Sequence, residues 1–272
     1  MNLDSSKTKS HIKIRHAHSV VIDTQGQVYT FGGNDFGKLG HGDYTKRTIP
    51  TKITSLAKAG IRCVHAACAD NHTLLLADHG IVFGFGLNKS GEIGQGQSDD
   101  ICMFPNPQKI QLSSSAFDVV TVRGGSVLCL SFSHAHPMIQ HETQGRNHSL
   151  VNSTGGVYSF GQNVFRQLGR DVQVGYTPGY VSFEMAKNPR IIQMDAGQSH
   201  SVLLDNQGFV YTSGKGMCGQ LGHDDKMFSV NVATRIESLS RKAKQVAAAN
   251  STTFVVRCVR SVSSFSFHSL EY

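Results

Sequence analysis

The chain of 272 residues contains no tryptophan, which excludes any function built on light absorption by indole rings. It also lacks long apolar runs: nothing approaches the roughly 20 residues that a membrane-spanning helix requires. The start Met1-Asn-Leu-Asp-Ser-Ser-Lys7 carries no apolar stretch of signal-peptide type, so a soluble protein of the cytoplasm or nucleus is expected, with no membrane partner. Cysteine is sparse. Its six positions, Cys63, Cys68, Cys102, Cys129, Cys218 and Cys258, follow no regular spacing and read as free thiols of a reducing compartment rather than as a disulfide frame. Without a secretory route, the sequons at Asn71, Asn88, Asn147, Asn152 and Asn250 have no glycan to accept.

Missing as well are the arrangements that make and break bonds: no Ser-His-Asp order, no H-E-x-x-H helix and no Walker phosphate loop occurs. No catalytic residue, cofactor, metal site or small-molecule substrate is therefore expected. Cys63, His65 and Cys68 form one dense cluster and His134, His136 and His141 another, but neither has a second ligand pair at zinc spacing. The formal charge is +7, which favours an acidic partner through long-range attraction. The cations gather at Lys7, Lys9, Lys13 and Arg15 and again at Arg241, Lys242, Lys244, Arg257 and Arg260, without the aromatic interleaving of a nucleic-acid footprint.

What the chain does have is repetition. The phrase Gly26-Gln-Val-Tyr-Thr-Phe-Gly32 returns as Gly80-Ile-Val-Phe-Gly-Phe-Gly86, Gly156-Val-Tyr-Ser-Phe-Gly161 and Gly208-Phe-Val-Tyr-Thr-Ser-Gly214. Each copy is preceded by a His and a small hydroxyl residue (His18-Ser19, His72-Thr73, His148-Ser149, His200-Ser201), and these marks lie 54, 76 and 52 positions apart. Periods of this size mark solenoids, propellers or arrays. The middle interval is long by about one hairpin, since two strands and a turn need on the order of 20 residues. Either an insertion splits the third hairpin near 126–144 or a degenerate half-unit has been added.

Each unit opens with a short apolar stretch such as Thr73-Leu-Leu-Leu-Ala77, too brief for an ordinary helix. A turn rich in Asp, Asn and Gly follows, and then a Val-Tyr-Thr-Phe type strand; the pair reads as a β-hairpin. Glycine-punctuated turns come next and end on Leu39, Ile93, Leu168 or Leu221, each expected to pack between neighbouring units. Later segments, Pro50 to Ile53, Pro107 to Ile110, Pro178 to Val181 and Val232 to Ile236, are predicted to complete four-stranded blades with proline at their starts or edges. The fold class is all-β, a propeller of four-stranded blades.

These phrases resemble the regulator of chromosome condensation repeat family, whose blades carry a Gly-x-x-His-Ser hairpin, a Val-Tyr-x-Trp/Phe-Gly strand and a Gly-x-Leu-Gly turn. The likeness runs over about residues 11–256. The family's usual tryptophan is Phe31, Phe85, Phe160 or Ser213 here, which removes the tryptophan light sensing of its plant ultraviolet-B receptor. The glycine of Gly-x-x-His is kept at Gly145 and Gly197 but is Arg15 and Ala69 in the first two units, and Ala249-Asn-Ser-Thr252 has lost its histidine. The resemblance implies a basic tail at 1–10, units at about 11–60, 61–112, 113–190 and 191–240, a terminal hairpin at 241–256 and a Ser/Phe-rich tail at 257–272 outside any unit. Family propellers commonly close with about seven blades, so a partial or irregular ring is expected.

The positions read as structural signature are Gly32, Gly37, Leu39 and Gly40; His72, Gly86, Gly91, Ile93 and Gly94; His148, Gly161, Leu168 and Gly169; and His200, Gly214, Gly219, Leu221 and Gly222. Gly214-Lys-Gly-Met-Cys-Gly219 matches G-x-G-x-x-G, but Gln-Leu-Gly-His-Asp-Asp follows where a dinucleotide site needs a helix. The histidines are expected to satisfy backbone groups of their own turns. The function expected is a non-enzymatic scaffold that holds a protein partner through loops on one face. The resemblance adds two alternatives: nucleotide exchange on a Ran-like small GTPase, with acidic candidates such as Asp70, and association with chromatin or histones.

Overall fold

The computed structural model describes residues 11–15, 18–96, 102–112, 119–124, 128–130, 147–184, 189–223, 228–239, 242–257 and 262–265. The basic tail 1–10, His134, His136, His141 and most of the stretch 126–144 lie outside the described residues. The chain begins with β1 (His11–Arg15), β2 (His18–Ile22), β3 (Val28–Gly32) and β4 (Arg47–Lys52), then one short helix, α1 (Thr54–Lys58). The second sheet holds β5 (Cys63–Cys68), β6 (His72–Ala77), β7 (Val82–Leu87) and β8 (Met103–Lys109). Next come β9 (Val119–Gly124), β10 (Leu128–Leu130), β11 (His148–Ser153), β12 (Gly156–Gly161) and β13 (Gly175–Tyr180). The fourth sheet is β14 (Ile191–Ala196), β15 (His200–Asp205), β16 (Val210–Lys215) and β17 (Ser229–Arg235), and the last is β18 (Ala243–Ala249), β19 (Thr252–Arg257) and β20 (Val262–Phe265).

Every sheet is antiparallel, and in the first four the repeated hairpin lies inside the sheet. The registers are the same from unit to unit: His18 faces Gly32, His72 faces Gly86, His148 faces Gly161 and His200 faces Gly214. The surplus of the middle interval lies between β9 and β11, which pair directly with each other. Within that surplus, β10 leaves its own sheet and pairs with β1 of the first. The insertion therefore splits one unit and extends another.

The segment expected to lie outside any unit behaves differently at 262–265. There β20 pairs with β19 from Thr253↔Phe265 to Val256↔Val262, making the terminal unit a three-stranded sheet rather than a hairpin. An unpaired β19 would present a row of open donors and acceptors, and a Val-Ser-Ser-Phe strand satisfies them.

The five sheets stack in chain order, and the core consists of the four layers between them. This explains why the hairpin strands read as continuous apolar runs instead of alternating. In β6, Leu75 and Ala77 join the layer against the first sheet, while Leu74 and Leu76 join the layer against the third. All six residues of β6 are buried, as are all six of β15. Burying each such leucine is worth roughly 1.5–3 kcal/mol, and none of that is available to a sheet standing alone. Among the described residues no helix is long and apolar enough to cross a membrane.

Candidate functional site

The register gathers at one end of each of the first four sheets the signature histidine, the glycine turn after the second hairpin strand, and the long loop that leads to the outer strand. The turn is locked from inside. Asn34, Asn88 and Asn163 accept through Oδ1 from the N–H groups of Leu39, Ile93 and Leu168, at 2.9, 3.0 and 2.9 Å. The hydroxyls of Thr30, Ser159 and Thr212 donate to the carbonyls of Leu39, Leu168 and Leu221, each at 2.7 Å. Leu39, Ile93, Leu168 and Leu221 are themselves buried. Glycine is required where the second strand ends: a Cβ on Gly86 would lie 2.4 Å from the Asn71 carbonyl oxygen, and φ there is +110°.

The histidines do something the sequence reading did not foresee. Thr73, Ser149, Ser201 and Thr253 donate their hydroxyl protons to the carbonyls of Lys38, Glu92, Gln167 and Gln220 in the preceding unit, at 2.9, 2.7, 2.7 and 2.6 Å. A hydroxyl has one proton, so the same oxygens accept from histidine. His18, His72, His148 and His200 each donate from Nε2 to the hydroxyl of the next unit, at 2.9, 2.9, 3.1 and 3.0 Å. Each histidine thus crosses to the following sheet instead of satisfying its own turn. Burial, and then the neighbouring His148, hold His72 and His200 down at about 3, so both rings are neutral at physiological pH. The signal was present in the sequence as the Ser or Thr after each signature position, which only the fold shows to face backward.

The other sequence candidates are placed as follows. Cys63, His65 and Cys68 all sit on β5, and burial pushes the Cys63 thiol up to about 12, which keeps it protonated. Residues 214–219 leave β16 into a turn with no helix behind it, and Gln220 accepts from the Cys218 N–H at 2.9 Å. The Asp70 carbonyl accepts from Lys38 Nζ at 3.3 Å.

The units are not equal where the turn meets the next outer strand. A Cβ on Gly37 would lie 2.5 Å from the Pro105 Cα, and one on Gly91 would lie 2.5 Å from the Tyr176 Cα. A few residues on, the Gly42 N–H donates to the Pro105 carbonyl at 2.8 Å, and the Gly96 N–H to the Tyr176 carbonyl at 3.0 Å. Two glycines thus seal the first junction and two the second. In the third unit their places fall to Arg166 and Asp171. The register makes Asn231 the counterpart of Pro105 and Tyr176, because Phe104, Gly175 and Val230 face Gly86, Gly161 and Gly214.

At this third junction a groove of about 450 Å³ opens, lined by Asn163, Val164, Arg166, Arg170, Val172 and Asn231 among others. Arg166 holds a left-handed backbone with φ +65°, which costs a non-glycine residue roughly 1–2 kcal/mol. Val164 of the lining is 67% exposed, and in the fourth unit Met217 is 63% and Phe228 73% exposed. The Gly216 N–H donates to the Phe228 carbonyl, which joins the turn carrying Met217 to the start of the outer strand, and Lys215 Nζ lies 5.0 Å from the centre of the Phe165 ring. In the sequence Arg166 stands where the other units have Gly37, Gly91 and Gly219, a departure that the sequence analysis did not single out.

Five meandering sheets stacked through shared apolar layers, with variable loops at one end, define a repeat protein of the β-propeller class. The chain belongs to the regulator of chromosome condensation repeat family: the profile described as regulator of chromosome condensation (RCC1) repeat matches residues 25–76, 154–204 and 207–256. The first match starts in the turn between β2 and β3 and ends in β6, so the sequence repeat is offset from the blade and spans two of them. A curated relative, Protein RCC2 homolog of Danio rerio, is 30% identical over 233 residues, covering 77% of this chain and 42% of its own. The chain thus spans less than half the length of that relative. Among solved structures, human WBSCR16 superposes with a TM-score of 0.76 at 20% identity, over 92% of this chain and 60% of its own. Prp20p of Saccharomyces cerevisiae gives 0.53 at 21%, over 94% and 71%. At these identities the likeness shows the fold alone.

Proposed function

We propose that the chain is a non-enzymatic interaction module that holds a protein partner on its loop face, as a regulatory scaffold. The observation that carries this reading is the set of exposed apolar side chains, Val164 and Met217 on turns held by internal hydrogen bonds and Phe228 at the start of the outer strand bonded to one of them. Such a patch, rimmed by Arg166 and Lys215, has the composition of a docking site. Relatives of RCC2 type and cysteines without a pairing pattern fit a nuclear or cytoplasmic setting. The test is affinity capture with the intact chain and with a V164D/M217D variant, both verified as folded by thermal melting. Partners recovered by the former and lost by the latter support the reading; identical sets of partners refute it.

A second reading comes from Prp20p, whose structure was reported with its binding properties to Gsp1p and histones. Exchange on a GTPase requires no bond chemistry, only tighter binding of the nucleotide-free state. Release of labelled GDP from a panel of small GTPases decides this: no acceleration at micromolar chain removes the exchange reading. Histone binding predicts steep weakening with salt and further loss on removing residues 1–10.

A further inference from the structure

We infer that the groove at the third junction receives an extended, acidic segment of the partner, with an apolar side chain seated beside Val164 and Val172. This deepens the loop-face reading and rests on it. The first support is the lost seal. Where Gly42 and Gly96 bridge to the next outer strand, no backbone hydrogen bond among the described residues joins Asp171 to Asn231; the third unit reaches that strand only further along, at Ala233, which bonds to Ser182 and Glu184. An extended ligand backbone has both a donor and an acceptor to offer there, the mode by which peptides add to sheet edges. The second support is space in the right place. The groove lies where Arg166 and Asp171 replace the glycines that meet Pro105 and Tyr176 at the first two junctions, and Arg166 is held in a backbone conformation that a glycine would adopt without strain.

The third support is charge. Arg166 and Arg170 line the groove, Lys215 lies over Phe165 of the same turn, and among the described residues none of the three forms an ion pair. Arg170 is fixed in place: its Nη2 donates to the carbonyls of Ser159 and Thr177 at 3.0 and 2.8 Å. Asp171 is the one carboxylate of the lining, while Asp224, Asp225 and Lys226 of the adjoining loop lie outside the described residues. Arginines beside two exposed valines in an otherwise polar groove select carboxylates flanking an apolar anchor, and they disfavour basic segments by like-charge cost.

The test uses the full chain, immobilised, and a display library of random twelve-residue peptides. Enriched sequences are expected to carry Asp or Glu on both sides of one large apolar residue. By fluorescence anisotropy, a labelled enriched peptide should lose at least about tenfold in affinity to an R166E/K215E variant that melts like the parent. The same variant should prefer the peptide with its acids changed to lysine, a swap that a merely structural role of these residues does not produce. Enrichment of basic or uncharged sequences, no enrichment, or indifference to R166E/K215E overturns the groove proposal. If peptide binding survives R166E/K215E but is lost in Y44D, on the loop of the first unit, the loop-face reading stands and the groove proposal falls. If neither variant affects it, both fall.

Discussion

At the scale of single residues, the histidine-to-hydroxyl contacts join each blade to the next through groups that have no access to water. Removing the Ser149 hydroxyl leaves the His72 Nε2–H and one acceptor role of the Glu92 carbonyl unfilled. An unsatisfied buried donor costs roughly 1–3 kcal/mol, so S149A should lower stability by about that much in urea unfolding. Glu92 makes a sharper case. Gln167 and Gln220 occupy the equivalent positions and accept through Oε1 from the N–H two residues earlier, as Glu92 does through Oε2 from Ser90 at 2.7 Å. The remaining oxygen of Glu92 is buried without a partner, and burial raises the carboxyl from 4.5 to about 7. The folded chain therefore holds this proton more tightly than the unfolded chain. The contribution is complete below about pH 4.5 and is lost as pH rises through about 7. E92Q should raise the unfolding midpoint at pH 8 and change it little at pH 4.5; equal effects at both would show that the carboxyl titrates normally. His72 and His200 act with the opposite sign. Their values fall from 6.5 to about 3, so their contribution is present above pH 6.5 and is lost on acidification.

At the scale of the element, the glycine turn is one device used in two ways. Gly91 closes against Tyr176 at φ +85°, so G91A meets both a left-handed backbone and a Cβ 2.5 Å from main chain. The strain of about 1–2 kcal/mol and an overpacking cost of about 1–3 kcal/mol should make G91A strongly destabilising. R166A, at the equivalent place over an open groove, should change stability by under about 1 kcal/mol, because Arg166 already bears the strain. Similar losses for the two variants would remove the distinction between sealed and open junctions. This element also marks how far the sequence could be read. Hairpins, turns and outer strands were legible because Gly, Asp and Asn punctuate runs of Val, Tyr, Thr and Phe at a fixed period. The backward reach of Thr73 and its equivalents was not, since it depends on the stacking of separate sheets. Nor were the strand at Val262–Phe265, which covers the edge of the neighbouring β19, and the pairing of Leu128–Leu130 with β1, an edge far back in the chain. The groove was not legible: Arg166 and Asp171 occupy glycine places of the repeat, but what that opens depends on the facing outer strand, which only the fold brings alongside.

At the scale of the molecule, stability resides between the blades, so a blade is as firm as the number of its faces that are covered. The second, third and fourth sheets contribute to an apolar layer on each side. The first sheet turns Val21, Tyr29 and Phe31 to its other side, where all three are half-buried, although the equivalent Leu75, Phe83 and Phe85 of the second sheet are buried. On the last sheet Phe254 and Val256 are half-buried, whereas their counterparts Val202 and Leu204 are buried. For a quasi-one-dimensional stack, nearest-neighbour terms then predict opening from the ends inward. Native-state hydrogen exchange should find the slowest amides in β6 and β15, with β3 and β19 exchanging by lower-energy openings. Breaking an internal contact with S201A should spread the loss to both of the sheets that it joins, β11 and β12 on one side and β15 and β16 on the other. Uniform protection across all five sheets, with S201A shifting every amide equally, would instead mean that the stack unfolds as one cooperative unit and that the layers between blades do not set its local stability.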